Sequence, residues 1–473
     1  MRILVCIASY GTRNDVYCKE LIRRYQAMHY DMDIVVLSNI KKDVGDGVET
    51  IVGLPTKNPW SLPFGHKQLF AERINDYDLF VYSEDDTPIS ERNIEAFLKI
   101  TESLPQDELA GFLRSETSSD GKRYFCDVHG SFHWDSSSVR RWGDFVVAFF
   151  SNEHSACYLL TQKQLRRAIN SGGFLVSPHE GPYDLLCSAA TDPYTQCGFK
   201  KVVCISHLDD FIVPHLSSKY AGRLGVGEND FSLQIESLLR NERSGYKPKP
   251  LFNTQTHLYD FEYSKSYYEP AREAIISLIP DAARNVLSIG CGWGALEEAL
   301  VKRGVRVLAV PLDPVIGACA SARGIEVVEG DFLTARMKLS DKRFDCLVIS
   351  NVLHLLPEPE SLLHSYSTLI YGASTVIAVV PNVLSASAFL RLVRLDPRFK
   401  DLWCYRKTGV KLTSRRIVRK WFEDAGMRIR SINDVVSARA QDANRMTFGI
   451  ASGWLASEFI VVATSENNMR SKK

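Results

Sequence analysis

Three glycines at alternate positions close the run Asn285-Val286-Leu287-Ser288-Ile289-Gly290-Cys291-Gly292-Trp293-Gly294. The apolar residues before them predict a buried strand, and those after Gly294 predict a helix, so the glycines make the turn between the two. Without a Cβ, such a turn bends tightly and lets a ligand come close to the backbone. The spacing Gly-x-Gly-x-Gly differs from the Gly-x-Gly-x-x-Gly that holds a dinucleotide pyrophosphate. It suits an adenosyl ligand with no phosphate. A second group, Glu84-Asp85-Asp86, follows the apolar run at 77–82. Three successive carboxylates repel one another unless a cation or solvent intervenes. Oxygen donors of this kind suit Mg²⁺ or Mn²⁺ bridged to a diphosphate. The triplet is also compatible with a solvated turn before a helix capped by Ser90, with Ile94, Phe97 and Leu98 on one face.

The rest of the sequence supplies the elements that must hold these groups. At 473 residues the chain exceeds one ordinary hydrophobic core. The polar, proline-broken stretch at 241–250 marks a boundary. It gives a first domain at 1–240, a linker at 241–264, a second domain at 265–465 and a tail at 466–473. In the second domain, strands at 286–289, 305–310, 325–328, 344–349 and 375–380 alternate with helical stretches. Such alternation predicts an α/β fold, a mostly parallel sheet with helices on both faces. Ligands then sit at the carboxyl ends of the strands. Gly290 to Gly294, Asp313, Asp331 and Asn351-Val352-Leu353-His354 all fall at such ends. Asp313 and Asp331 are equally compatible with turn residues. In the first domain, strands at 2–7, 33–37, 48–52 and 77–82, with helices at 15–28 and 66–75, predict a second α/β unit.

The totals exclude several classes. Hydrophobic content of 45% with 24% charged residues is that of a soluble globular chain. A net charge of +1 gives no general reason to expect nucleic acid. The basic clusters Arg415, Arg416, Arg419, Lys420 and 470–473 read as a solvated helix face and a tail. The 11 cysteines are odd in number and form no Cys-x-x-Cys pair, which argues for a reducing compartment and against structural zinc. Met1 leads straight into a strand, so no signal peptide is expected, and no run reaches the roughly 18 apolar residues of a membrane span. The expected location is cytoplasmic, with a peripheral place at the inner membrane surface as the variant.

The second domain resembles the class I S-adenosylmethionine-dependent methyltransferases over roughly residues 265–465. The resemblance rests on Ile289-Gly290-Cys291-Gly292-Trp293-Gly294, on Glu329-Gly330-Asp331, on Phe344-Asp345, and on His354-Leu355-Leu356-Pro357-Glu358-Pro359. It implies that Gly290, Gly292 and Gly294 line the methionine and ribose part of S-adenosylmethionine. Asp331 would bond the adenine amino group, and Asn351 to Leu353 would wall the sulfonium. Two positions depart from the family: Ser288 and Pro311 stand where it usually has acidic residues. Asp313, two residues on and on the same side of an extended chain, would replace the second in binding the ribose hydroxyls. His354 is the nearest titratable group to act as base, or else a wall residue.

The first domain resembles the nucleotide-sugar-dependent glycosyltransferases of the GT-A fold, across about residues 1–240. The first strand leads into Ala8-Ser9-Tyr10-Gly11 as a nucleotide loop, and Glu84-Asp85-Asp86 matches the motif that holds the metal on the sugar-nucleotide diphosphate. The resemblance implies Glu84 and Asp86 as metal ligands, with His207 as a further ligand and His215 as its rival. It also implies a later carboxylate as catalytic base, Glu180 first and Asp184 second. Trp60, Trp134 and Trp142 could stack on sugar rings or pack in the core.

Together these readings predict a bifunctional enzyme of surface-polysaccharide synthesis. It would use S-adenosylmethionine, a divalent cation, a nucleotide sugar donor and a glycan or lipid-linked glycan acceptor, and would methylate a hydroxyl. The alternatives are a methyltransferase with a non-catalytic glycan- or nucleotide-binding first domain, and a non-enzymatic scaffold with both sites decayed. The glycine spacing disfavours a further one, a nicotinamide-dependent oxidoreductase.

Overall fold

The computed structural model describes residues 1–125, 132–223, 225–394, 399, 401–436, 441 and 451–465. The expected tail at 466–473 lies outside the described residues. The chain divides into two compact units, Met1–Lys247 and Pro248–Lys473.

In the first unit Arg2–Ala8 is an apolar strand whose residues Ile3 to Ile7 are fully buried. A strand with no polar alternation must be covered on both faces, as a central parallel strand is. It pairs in parallel with Asp31–Ser38 on one side and Leu79–Glu84 on the other. Val48–Val52 extends the sheet in parallel, and Cys157–Thr161 closes the opposite edge antiparallel to Leu79–Glu84. The expectation of a single mostly parallel sheet is incomplete here. Two further four-stranded sheets are built from strands of only two to five residues. One pairs Lys200–Cys204 with Glu108–Ala110 and Phe145–Ala148. In the other, Leu113–Thr117 lies between Ile212–Pro214 and Arg123–Phe125. Strands this short carry too little periodicity to be read from sequence.

The second unit holds one seven-stranded sheet. Its order is Glu326–Val327, Arg306–Pro311, Asn285–Cys291, Phe344–Ser350, Ile370–Pro381, Ala456–Ser465 and Met427–Val436. The first five strands run parallel, and Ala456–Ser465 is antiparallel to both its neighbours. Side chains alternate across the sheet. Leu287, Ile289, Leu308, Val310, Leu347 and Ile349 enter one apolar cluster, while Val286, Val307, Ala309, Cys346 and Val348 enter another. Both faces are therefore covered, and the open carboxyl ends are what remains for a ligand.

Residues 248–264, expected as a linker, belong to this second unit. Leu251, Thr254, Thr256 and Leu258 are buried, and the Leu251 N–H bonds the Leu312 carbonyl at 2.7 Å. The helix Glu228–Ser244 runs on past residue 240 and stops at Gly245, whose φ of +68° gives the left-handed cap that favours glycine. Among the described residues no helix is long and apolar enough to cross a membrane. The ten described cysteines form no disulfide with one another, and nine of them are buried.

Candidate functional site

In the first unit the acidic triplet does not converge on one point. Asp85 accepts from Ser9 Oγ and Asn14 Nδ2, each at 2.7 Å, and burial pushes its carboxyl up to about 6. Lys42 reaches the same Ser9 hydroxyl at 2.7 Å and Asp15 at 2.5 Å. Asp86 turns instead to His215 Nε2 at 3.1 Å, with Lys219 at 3.8 Å. The other ring nitrogen of His215 lies 2.5 Å from Glu116 Oε1, and Glu116 Oε2 accepts the Tyr220 and Ala221 N–H groups. Burial lowers the His215 pKa, but the two carboxylates outweigh it and leave the ring above its ordinary value.

One expected pairing changes in this arrangement. His207 is exposed, bonded to Ser206 and edge-on to Phe145, and the rival His215 is the histidine that meets Asp86. Of the expected metal set, Glu84 lies 4.0 Å from His154 Nε2, Asp86 meets His215 and shares the Asn14 amide with Asp85, and His207 stands apart from both. Among the described residues no group of three or more His, Cys, Asp or Glu could hold a metal ion. Asp184 caps the helix Leu185–Thr195 by accepting the Cys187 N–H at 2.9 Å, while Glu180 is exposed on the preceding loop. Of the tryptophans, Trp134 is buried among Phe150 and Phe231, which is core packing, and Trp60 is exposed.

In the second unit the glycine turn comes where it was expected. Gly290 and Gly294 have φ of +77° and +92°, a backbone that side chains rarely adopt. At Gly292 the constraint is space, since a Cβ there would lie 2.2 Å from the Tyr267 carbonyl oxygen. That carbonyl accepts the Trp293 N–H at 2.9 Å, and Trp293 Nε1 bonds the Glu269 carbonyl at 2.7 Å. The cleft beside the turn is lined by Gly290, Gly292 and Gly294 together with Lys265, Glu269 and Arg272. Glu269 accepts from Asn351 Nδ2 at 2.9 Å and pairs with Lys265, and Arg272 pairs with Glu458. Asn351 holds this bond from a left-handed backbone, φ +53°, which asparagine tolerates better than most residues.

Ser288 has its carboxylate after all, delivered from elsewhere. Its hydroxyl donates to Glu297 Oε1 at 2.6 Å; Glu297 is buried, and both residues line the cleft. Asp313 and Asp331 do not line it. Asp313 Oδ1 caps the helix Pro314–Ala322 through the Val315 and Ile316 N–H groups, and Asp331 caps Phe332–Lys338 through Thr334. Beside them the chain's own segment lies down: Phe252 stacks on Phe332 with ring centroids 5.6 Å apart, and the Leu251 N–H reaches Leu312. His354 is buried at 1% exposure, and its Nε2 lies 2.8 Å from the Tyr263 carbonyl, which fixes that nitrogen as the N–H donor. Burial holds the ring neutral, down to about 4.

Comparison with known proteins addresses this second unit. The family model described as "Methionine biosynthesis protein MetW" matches residues 270–471. A ubiquinone biosynthesis O-methyltransferase of Azotobacter vinelandii is 32% identical over 94 residues, 19% of this chain and 40% of that protein. The protein of the same description from Leptothrix cholodnii is 25% identical over 151 residues, covering 31% of this chain and 64% of its own length. The chain thus spans less than two thirds of these curated relatives. A solved SAM dependent methyltransferase from Archaeoglobus fulgidus shares 20% identity over 41% of this chain and 90% of its own, at a TM-score of 0.31. The second unit is thus similar in sequence to S-adenosylmethionine-dependent methyltransferases.

In this unit, Lys265, Glu269, Arg272 and Glu297 escaped the sequence reading. Glu297 had a usable signal, a carboxylate in the first helical turn after Gly294, near the position where Ser288 departs from the family. Glu269 had none.

Two outcomes follow from the geometry. Gly292→Ala must displace the Tyr267 carbonyl, so urea unfolding of the second unit should show a loss of about 1–3 kcal/mol. His354 takes its proton at about 4 when folded and at 6.5 when unfolded, so the unfolded chain binds the proton first and stability falls as pH drops through that window. Unfolding between about pH 7 and pH 5 should show a loss of about 2 kcal/mol from this group, absent in His354→Gln.

Proposed function

We propose that the second unit transfers a methyl group from S-adenosylmethionine to an oxygen nucleophile on a glycan. The observation that carries this reading is the cleft at the Gly290–Gly294 turn, with the Glu297 carboxylate brought to Ser288. Its charged lining, Glu269 against Lys265 and Arg272, matches a zwitterionic amino acid such as the methionine end of the cofactor. When bound, the sulfonium supplies the electrophilic methyl group. The chain's part is to orient and to exclude water: Gly290, Gly292 and Gly294 give close backbone approach, and Asn351 to Leu353 form the wall beside the reacting centre. Asp331 is proposed for the adenine end and Asp313 for the ribose. His354, neutral and bonded to Tyr263, is assigned to the wall; if a base is needed, the acceptor must meet its Nδ1, which has no partner among the described residues.

One observation favours the scaffold alternative. Phe252, stacked on Phe332 beside Asp331, stands close to where an adenine would lie, so a binding-competent chain must move this segment aside. Titration calorimetry with S-adenosylhomocysteine separates the two readings. Micromolar binding that Glu297→Gln weakens by about tenfold supports the cofactor site, whereas no binding leaves the scaffold.

For the first unit we propose a nucleotide-sugar site at the carboxyl ends of Arg2–Ala8 and Leu79–Glu84, making the chain a cytoplasmic enzyme that builds and methylates one glycan. Support comes from the sheet order, four parallel strands with an antiparallel edge, and from the polar groups gathered at those strand ends. The proposal uses no divalent ion. Mass spectrometry of glycans from cells with and without the protein is expected to differ by a methyl and by a hexose. A methyl difference alone would leave the first unit as a binding module.

A further inference from the structure

The strand Leu113–Thr117 contributes a buried guanidinium that the first unit does not neutralise. Arg114 is 9% exposed, and its Nε has no hydrogen-bond partner among the described residues. Side chains two apart on a strand share a face, so Arg114 lies on the side of Glu116, whose carboxylate meets His215. The backbone pairing agrees: Arg114 is opposite Val213 and Ser115 opposite Pro214, one residue before His215. The charge of Arg114 is felt by His215, by His154 and by the thiols of Cys157 and Cys187. Those groups surround it from the strand Cys157–Thr161 and the helix Leu185–Thr195 as well as from its own sheet.

Burying a guanidinium without a partner is costly, because the lost hydration is not replaced. Glu84 and Asp184 act together with Arg114 on Cys187, while three other carboxylates of the unit have partners of their own. Asp86 faces His215 and Lys219, Glu116 faces His215 and two backbone N–H groups, and Asp85 faces Ser9 and Asn14. An incoming anion would meet Arg114 and Lys219, with His215 held between Asp86 and Glu116. A guanidinium fork fits a phosphate or carboxylate in two-point contact, and several cations at one strand end favour the more highly charged of these.

We infer that Arg114 is the anchor of a phosphate-binding site in the first unit, which takes a diphosphate-bearing ligand by direct contact with cationic side chains rather than through a divalent ion. The ligand class rests on the nucleotide-sugar reading above; the anion site itself does not. Asp85 then serves to position Ser9 and Asn14, and Asp86 to position His215.

The test is calorimetric titration of the full chain with inorganic pyrophosphate, first in a chelator and then with Mn²⁺. Saturable binding in the chelator, changed less than about twofold by Mn²⁺ and weakened at least about tenfold in Arg114→Gln, is the expected result. Without ligand, Arg114→Gln should melt at or above the temperature of the parent chain, since an unpaired buried charge has been removed. Binding only with Mn²⁺, equal binding by Arg114→Gln, no binding of pyrophosphate, equally tight binding of malonate, or a clearly lower melting temperature of the unliganded variant would each overturn the inference. Arg114-dependent pyrophosphate binding in a chain that transfers no sugar from any donor would remove the glycosyltransferase reading and keep this one. Sugar transfer unaffected by Arg114→Gln would do the reverse.

Discussion

The site of the second unit depends on how closely the Tyr267 carbonyl approaches Gly292. No side chain fits between them, and that single contact brings the stretch from Lys265 to Arg272 down onto the end of the first strand of the sheet. Once it is there, Glu269 can hold Asn351 across the cleft, and Asn351 can keep a backbone conformation that costs free energy elsewhere. The glycine turn is thus doubly determined. Positive φ at Gly290 and Gly294 sets the path of the chain, and the missing Cβ at Gly292 sets what lies above it.

How the two units handle acidic residues differs in a way that follows from geometry. In the second, a family position lacking a carboxylate, Ser288, receives one from the next helix, because Glu297 sits one helical turn into the element that the glycines begin. In the first, three carboxylates are adjacent in sequence, yet a strand alternates its side chains and the following turn rotates them further. Asp85 and Asp86 still share the Asn14 amide, yet each takes a further partner of its own, Ser9 for one and His215 for the other.

What could be read from the sequence was what repeats or punctuates. Buried runs such as 2–7, 286–289 and 344–349 announced parallel strands, and the glycines announced the turn. The capping of the helix Glu91–Thr101 by Ser90 was equally legible. Asp313 and Asp331 were located correctly at strand ends but their partners were open, since a helix cap and a ligand contact call for the same residue type at the same place. The choice between His207 and His215 could not be made, because each follows a short strand and only the pairing of Leu113–Thr117 with Ile212–Pro214 decides which of them reaches Asp86. The same pairing hid Arg114. A residue made important by non-local register leaves no mark on its neighbours in sequence.

The buried cysteines have a consequence of their own. Six of the buried ones, from Cys6 to Cys204, lie in the first unit and three, Cys291, Cys319 and Cys346, in the second. Thiols such as Cys6, Cys157 and Cys346 are held by burial in their protonated, unreactive form. Oxidants and alkylating reagents will therefore find little to attack while the cores are closed. Once either core opens its sulfurs become reactive together, so damage by oxidation should be cooperative, and the position of the modified cysteines records which half of the chain came apart.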